Sequence, residues 1–96
     1  MQDRLLDTSE LEEIISKFPK WEYREKSLKQ DFMFSDFSEA FEFMVQVSEI
    51  AEDLNHHPDW SNSWNKVSIS ISTHSAGGLT ALALKFVEKV ESLPGI

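Results

Sequence analysis

The segment "KVSISIS" constrains the fold most strongly, because apolar and small polar residues alternate along it. Val67, Ile69 and Ile71 have one parity, while Ser68, Ser70 and Ser72 have the other. Alternate side chains of a strand point to opposite faces of its sheet. The pattern therefore predicts a strand in an antiparallel sheet that is covered on one face only.

Two hairpins are predicted from this signal and from a similar one earlier in the chain. "WSNSW" precedes "KVSISIS", with a turn at Asn65. "WEYRE" and "LKQDFMF" alternate in the same way on either side of Lys26 and Ser27. Short alternating runs separated by a turn are typical of antiparallel strand pairs.

A helix is predicted before the first hairpin. Ser9 and Glu12 have the spacing of a capping box, and Pro19 stops the helix. Its apolar face comprises Leu11, Ile14 and Ile15.

The longest helix is predicted from about residue 36 to 54. Asp36 and Glu39 form a second box-like pair at its start, and Pro58 requires it to end near Asn55. The predicted apolar stripe comprises Phe37, Phe41, Met44, Val45, Ser48, Ala51 and Leu54. The opposite face is acidic, with Glu42, Glu49 and Asp53.

A closing helix completes the order α-β-β-α-β-β-α. Its apolar residues are Leu79, Ala83, Phe86, Val87 and Val90, and Pro94 and Gly95 end it. The sequence thus predicts an α+β fold, in which three helices cover one face of a four-stranded antiparallel sheet. Residues 1–96 form a single domain, because this length leaves no room for a second core.

Composition limits the partners and the chemistry. Nine Lys and Arg stand against seventeen Asp and Glu, and the net charge of −8 opposes direct binding of nucleic acid. The absence of cysteine excludes thiolate catalysis and Cys-zinc sites. The charged start "MQDRLLDTSELEE" lacks a signal-peptide core, and no apolar run has the length of a membrane span. We therefore expect a cytoplasmic domain that does not bind membranes.

The candidate functional residues are the three histidines. His56 and His57 lie before Pro58 at the corner between a helix and a strand, and His74 ends the alternating strand. Imidazoles exchange protons near neutral pH, so three that converge would suit general acid–base catalysis. Glu52 could orient an imidazole or accept from a substrate N–H, and Trp60 offers a flat face to a planar heterocycle.

Two other interpretations of these residues remain open. A His-His-Pro corner also occurs as an ordinary surface turn, and three His with a Glu could bind zinc. The zinc interpretation is the weaker one, because adjacent His side chains diverge and the sequence contains no HExxH spacing.

Two segments, "AEDLNHHPDW" and "KVSISISTHSAGGLT", resemble the pterin-4a-carbinolamine dehydratase family. The likeness extends from about Trp21 to Val90 and includes a run of phenylalanines between Phe32 and Phe43. The resemblance implies the same element order, with dimers that extend the sheet and pair through helices into tetramers. It also implies dehydration of 4a-hydroxytetrahydropterin to quinonoid dihydropterin, which requires no metal or other cofactor.

The resemblance implies specific roles for the residues of the two segments. His56 and His74 would form the acid–base pair, and His57 would position the substrate and take part in catalysis. The pterin would contact two short runs, supported by Glu52 and Trp60. These runs are His56, His57 and Pro58, and Thr73, His74, Ser75 and Ala76.

Ala83 departs from the family pattern, which has Asp three residues after the Thr or Ser of "GLT". Thr80 is the predicted N-cap of the last helix, so position 83 is N3, where an Asp would complete a capping box. We therefore interpret the missing acid as a structural partner. Restoring it is expected to raise stability by roughly 0.5–1 kcal/mol.

Two alternatives to an active dehydratase follow from the same resemblance. Some family members also bind the dimerisation helices of a transcription factor, so the chain could be an interaction protein. It could also be a weakened relative that binds a pterin without efficient turnover.

Overall fold

The computed structural model describes residues 4–96, which form three α-helices and one sheet. The elements are α1 Thr8–Lys17, β1 Glu22–Arg24, β2 Ser27–Met33, α2 Phe37–Leu54, β3 Asp59–Ser63, β4 Lys66–Ile71 and α3 Ala81–Glu91, with a short 3₁₀ helix at His74–Ala76. The predicted α-β-β-α-β-β-α order is confirmed.

The sheet has the strand order β1-β2-β4-β3, and every neighbouring pair is antiparallel. Ile71 lies opposite Leu28 and Val67 lies opposite Phe32, so apolar residues meet across the two central strands. These side chains are buried, whereas Ser68 on the other face is half-buried. The alternation along β4 therefore predicted correctly which face the helices cover.

The two hairpin turns contain residues in the left-handed region. Glu25 and Lys26 have φ angles of 56° and 62°, which suit a two-residue turn between right-twisted strands. The predicted turn at Lys26 and Ser27 was one residue too late, because Ser27 already pairs with Arg24. In the second hairpin the turn contains Trp64, with φ 51°, and the predicted Asn65.

α1 begins earlier than its predicted cap. Asp7, not Ser9, is the N-cap: its carboxylate accepts from the Glu10 N–H at 2.8 Å, and the Glu10 carboxylate accepts from the Asp7 N–H at 2.9 Å. The same three-residue spacing occurs twice in this segment, and the box forms at the first. On the predicted apolar face Ile14 is buried and Ile15 is exposed.

The predicted apolar stripe of α2 was wrong for three of its seven residues, whereas Ala51 is buried and Met44 and Leu54 pack against the core. Five residues of the helix are buried: Ala40, Phe43, Val47, Ile50 and Ala51. Phe37, Phe41 and Val45 are instead 47%, 53% and 45% exposed. The helix is apolar on two sides, and periodicity alone does not show which side the sheet covers.

The ends of α2 agree better with the prediction. Asp36 caps the helix by accepting from the Glu39 N–H at 2.9 Å, although the Glu39 carboxylate accepts from Ser35 N–H and not from that of Asp36. The helix ends at Leu54, with Asn55 as C-cap. The acidic residues Glu42, Glu49 and Asp53 are exposed, as predicted.

α3 packs against α2 and contributes to the hydrophobic core. All five apolar residues predicted for it are buried: Leu79, Ala83, Phe86, Val87 and Val90. Thr80 is the N-cap, as predicted, and its hydroxyl accepts from the Leu82 N–H at 3.3 Å. The start of α3 is thereby fixed close to the end of β4.

Candidate active site

The His-His-Pro corner is formed by the end of α2. Asn55 adopts the left-handed conformation at φ 49°, and the His56 N–H reaches back to the Ala51 carbonyl at 3.0 Å. This arrangement satisfies the last helical carbonyls and reverses the chain. The reversal turns His56 inward, where it is 9% exposed, and leaves His57 exposed.

A tight loop between β4 and α3 forms the other side of the site. The Thr73 N–H donates to the Gly78 carbonyl at 2.7 Å, and Gly77 closes the turn at φ 75°, a conformation that favours glycine. The loop brings the Thr73 hydroxyl to 2.8 Å from the Thr80 hydroxyl. Thr73 and Thr80, which flank the loop, are thus hydrogen-bonded to each other.

His56 meets this loop in the protein interior. Its Nε2 lies 3.5 Å from Thr73 Oγ1, at the outer limit of a hydrogen bond. Burial lowers the pKa of His56, the neighbouring His57 and His74 lower it further, and the Ser72 carbonyl opposes them. His56 is therefore a neutral imidazole at pH 7.

His57 is paired with Glu52. Its Nε2 lies 2.6 Å from Glu52 Oε2, and the two side chains are 55% and 77% exposed. Glu52 precedes His57 by five residues, and the reversal at Asn55 brings them together. The sequence suggested that Glu52 orients an imidazole, and the one that it contacts is His57.

His74 is paired with Asp59, which the sequence analysis did not select. The Nε2 of His74 lies 3.2 Å from Asp59 Oδ2, and both side chains are exposed. Asp59 pairs with Ser70 in the sheet register, near the end of β4 where His74 follows. A correct hairpin register would have revealed it, because the register places the start of β3 beside the end of β4.

The other predicted site residues lie around these three pairs. Pro58 is half-buried directly after His57, and Ser75 and Ala76 belong to the 3₁₀ turn that begins with His74. Trp60 lies opposite Ile69 in the sheet and packs against the core. Its ring is thus held by the protein interior and only partly available to a ligand.

Ala83 is fully buried at N3 of α3, and its N–H donates to the Thr80 carbonyl at 3.0 Å. The N3 assignment made from the sequence is correct. Its burial was not predicted from the sequence. An Asp here would lose its hydration, so the expected gain in stability no longer follows.

No cluster of three or more His, Asp or Glu side chains within residues 4–96 has the geometry to hold a metal ion. A groove of about 530 Å³ lies between β2 and the chain end and is lined by Gln30, Phe34 and Ile96 among others. None of the histidines lines it. The histidine corner is thus separate from this groove.

The corner offers two kinds of imidazole. His56 is buried and neutral, whereas His57 and His74 are exposed and each contacts a carboxylate. A neutral imidazole can accept a proton, and a carboxylate can hold the imidazole that it contacts in one orientation. The arrangement is suited to a reaction in which one proton is delivered and another is removed.

Other proteins are similar to this chain in sequence. The family model for pterin 4 alpha carbinolamine dehydratase matches residues 4–93. A Prochlorococcus marinus (strain MIT 9515) protein named "Putative pterin-4-alpha-carbinolamine dehydratase" is 43% identical over 93 residues, which cover 97% of each chain. A Synechococcus sp. (strain WH7803) protein of the same name is 43% identical over 89 residues, covering 93% of this chain and 96% of its own.

A solved structure extends the likeness to three dimensions. It is described as a "transcriptional coactivator/pterin dehydratase" from Brucella melitensis, with a TM-score of 0.91 and 36% identity. The match covers 96% of this chain and all of the other. The chain therefore belongs to the pterin-4a-carbinolamine dehydratase family.

Proposed function

We propose that the protein dehydrates a 4a-hydroxytetrahydropterin to the quinonoid dihydropterin and water. Such a step would regenerate the pterin cofactor of an aromatic amino acid hydroxylase. The observation that carries the proposal is the meeting of buried His56 with the loop that bears His74, at the family's two motifs. Membership of the family supports the choice of substrate class.

The reaction needs only proton transfers. The hydroxyl leaves C4a with the electrons of the C–O bond, and the lone pair of the adjacent ring nitrogen forms the new C=N bond. One group protonates the leaving oxygen, which departs as water. A second group removes the proton from the nitrogen, so that atoms and charge balance.

In this proposal His56 and His74 form the acid–base pair. His57 positions the substrate and takes part in catalysis, with Glu52 holding its ring. The pterin would lie against the His56–Pro58 corner and the Thr73–Ala76 loop, with Trp60 as support. No metal, cofactor or nucleophile has a role in these steps.

The direct experiment adds purified protein to freshly generated 4a-hydroxytetrahydropterin and follows the absorbance of the quinonoid product. Acceleration over the spontaneous rate in buffer supports the proposal. Binding of a pterin without acceleration would instead indicate a weakened relative of the enzyme. The absence of both binding and acceleration would contradict any pterin-related function.

We also propose that the chain forms a homo-oligomer, a dimer or a tetramer, through an exposed surface of α2. This surface, the α2 stripe, consists of Phe37, Phe41 and Val45, which are about half exposed. The Phe37 and Phe41 rings lie 5.8 Å apart and form a continuous apolar patch. A second copy fits it best, because two-fold symmetry sets the same apolar patch on both sides.

Sedimentation or light scattering tests the oligomer. Phe41→Glu should shift the mass to a smaller species, because it introduces a charge at the centre of the stripe. Ile15→Glu is the control, since Ile15 is an exposed apolar residue of α1, outside the stripe. A monomeric natural protein would contradict the assignment.

An interaction role is the second candidate function. The coactivator named in the Brucella melitensis description favours it, as does the α2 stripe, which could pack against the helices of a transcription factor. Co-purification from the source cell tests this role, and it should be lost in Phe41→Glu. The net charge of −8 argues against direct contact with nucleic acid.

The cellular location of the protein is also a proposal. Within residues 4–96, every helix is too short or too polar to span a membrane. We propose a cytoplasmic location, where a pterin-dependent hydroxylase would supply the substrate. Fractionation of the source cell with an antibody against the protein tests this location.

A further inference from the structure

The buried polar side chains within residues 4–96 lie in one row. They are Thr80, Thr73 and His56, with exposures of 0%, 7% and 9%. Thr80 Oγ1 lies 2.8 Å from Thr73 Oγ1, which lies 3.5 Å from His56 Nε2. Three residues, at the end of α2, after β4 and at the start of α3, thus form one connected polar path.

Such a path requires an explanation, because burying hydroxyl groups is unfavourable unless they are hydrogen-bonded. Valine has nearly the shape of threonine and would fill the same space without a polar atom. The cap of α3 accounts for Thr80 alone. It does not account for Thr73, whose hydroxyl contacts only Thr80 and His56 among the described residues.

The directions of the hydrogen bonds follow from the end of the row at Thr80. Thr80 Oγ1 accepts from the Leu82 N–H at 3.3 Å, and its own proton is directed to Thr73 Oγ1 at 2.8 Å. Thr73 thus accepts from Thr80, and its one proton is directed to His56 Nε2 at 3.5 Å. In the reverse direction the buried Thr80 proton would have no acceptor among the described residues, which is unfavourable.

We propose that Thr73 and Thr80 are positioning residues, whose hydroxyls donate in the order Thr80 to Thr73 to His56 Nε2. They hold the imidazole in one orientation and in the tautomer that has its proton on Nδ1. The Thr73–His56 contact is long, so a bound substrate can displace it at small cost. The two hydroxyls therefore set the orientation and the tautomer of His56 before the substrate reacts.

Other charged groups near His56 do not fix its tautomer. His57 and His74 face it and act on its charge, and their partners Glu52 and Asp59 point to those two rings. The first turn of α3, residues 81–83, has no titratable side chain. The hydroxyls are thus the groups that distinguish one ring nitrogen of His56 from the other.

The test is nitrogen NMR of the His56 ring in uniformly labelled protein at pH 8, where the ring is neutral. We expect the Nδ1–H tautomer to predominate in the natural protein, in Thr73→Ser and in Thr80→Ser, which keep the hydroxyl. Thr80→Val and Thr73→Val should show a mixture of tautomers. Equal spectra in the Val and Ser variants, or an Nε2–H tautomer in the natural protein, would overturn the proposal.

Kinetics add a second readout, which rests on the proposed dehydratase function. Thr80→Val should lower kcat about tenfold with little change in KM, and Thr80→Ser should restore it. A residue that only caps α3 would change the melting temperature and leave kcat and the tautomer unchanged. If Thr80→Val fails to fold, Thr73→Val still reports the tautomer. If the natural protein shows no dehydratase turnover, the NMR result alone decides whether the hydroxyls set the tautomer of His56.

Discussion

The carboxylate of Glu52 lies 2.6 Å from Nε2 of His57, across the point where α2 ends. The next imidazole along the chain, that of His56, turns the other way and is buried beside Thr73. Adjacent histidines are therefore placed in opposite environments. His56 can therefore stay neutral, while Glu52 holds the ring of His57.

Glu52→Gln should test the role of this contact. Both side chains are mostly exposed, so we expect the free energy of unfolding to change by less than about 1 kcal/mol. Turnover should fall about tenfold, because the neutral amide holds the His57 ring less strongly than the carboxylate does. Glu49→Gln is the matched control on the same helix, and equal activity of the two variants would remove Glu52 from the site.

Ala83→Asp separates two explanations of the residue that departs from the family pattern. Since Ala83 is fully buried, we expect the carboxylate to lower stability by about 1–3 kcal/mol. Turnover should change little. Urea unfolding measures the change in stability, and the dehydratase assay measures the turnover. A gain in stability would show that the helix-end charge outweighs burial, and a tenfold gain in turnover would assign the acid to the active site.

The stability of the protein should depend on the protonation of His56. Its pKa is lowered in the folded protein, mainly by burial, from an ordinary value of about 6.5. The unfolded chain therefore binds the proton more readily, so the contribution of His56 is present above pH 6.5 and is lost as the pH falls through the folded pKa. Between pH 7 and 5 the natural protein should lose more stability than His56→Gln. Parallel curves would contradict the burial of a neutral ring.

Activity should survive the removal of metal ions. The proposed steps are proton transfers, and within residues 4–96 no His, Asp or Glu cluster has the geometry of a metal site. Exhaustive chelation, followed by dialysis, should leave turnover unchanged. If activity is lost and zinc restores it, the histidines would have to be reinterpreted as ligands.

The pattern of β4 could be predicted from the sequence because this strand has one covered face. Val67, Ile69 and Ile71 alternate with serines, and all three are buried. The predicted stripe of α2 was wrong at Phe41, because α2 has apolar residues on more than one face. Phe41 and Phe43 are both apolar, but Phe41 is exposed and Phe43 is buried. Helical periodicity identifies apolar faces, but the covered face depends on which elements pack against it.

The histidines of the candidate site could be selected from the sequence, but their burial and their partners could not. The spacing of the motifs led to His56, His57 and His74, but only tertiary packing could show that His56 alone is buried. Asp59 was missed because its contact with His74 depends on strand register. Thr80 was known as a cap, and its second contact, with Thr73, depends on the loop that joins β4 to α3.

The most direct test of the account is the dehydration rate of 4a-hydroxytetrahydropterin, measured by stopped flow with His56→Ala and His74→Ala. Lys85→Ala, an exposed change on α3, is the control. We predict that each His variant keeps the fold and lowers the rate by about 10²- to 10⁴-fold, the usual contribution of one general acid or base. Turnover close to that of the natural protein in both His variants would contradict acid–base catalysis by this pair.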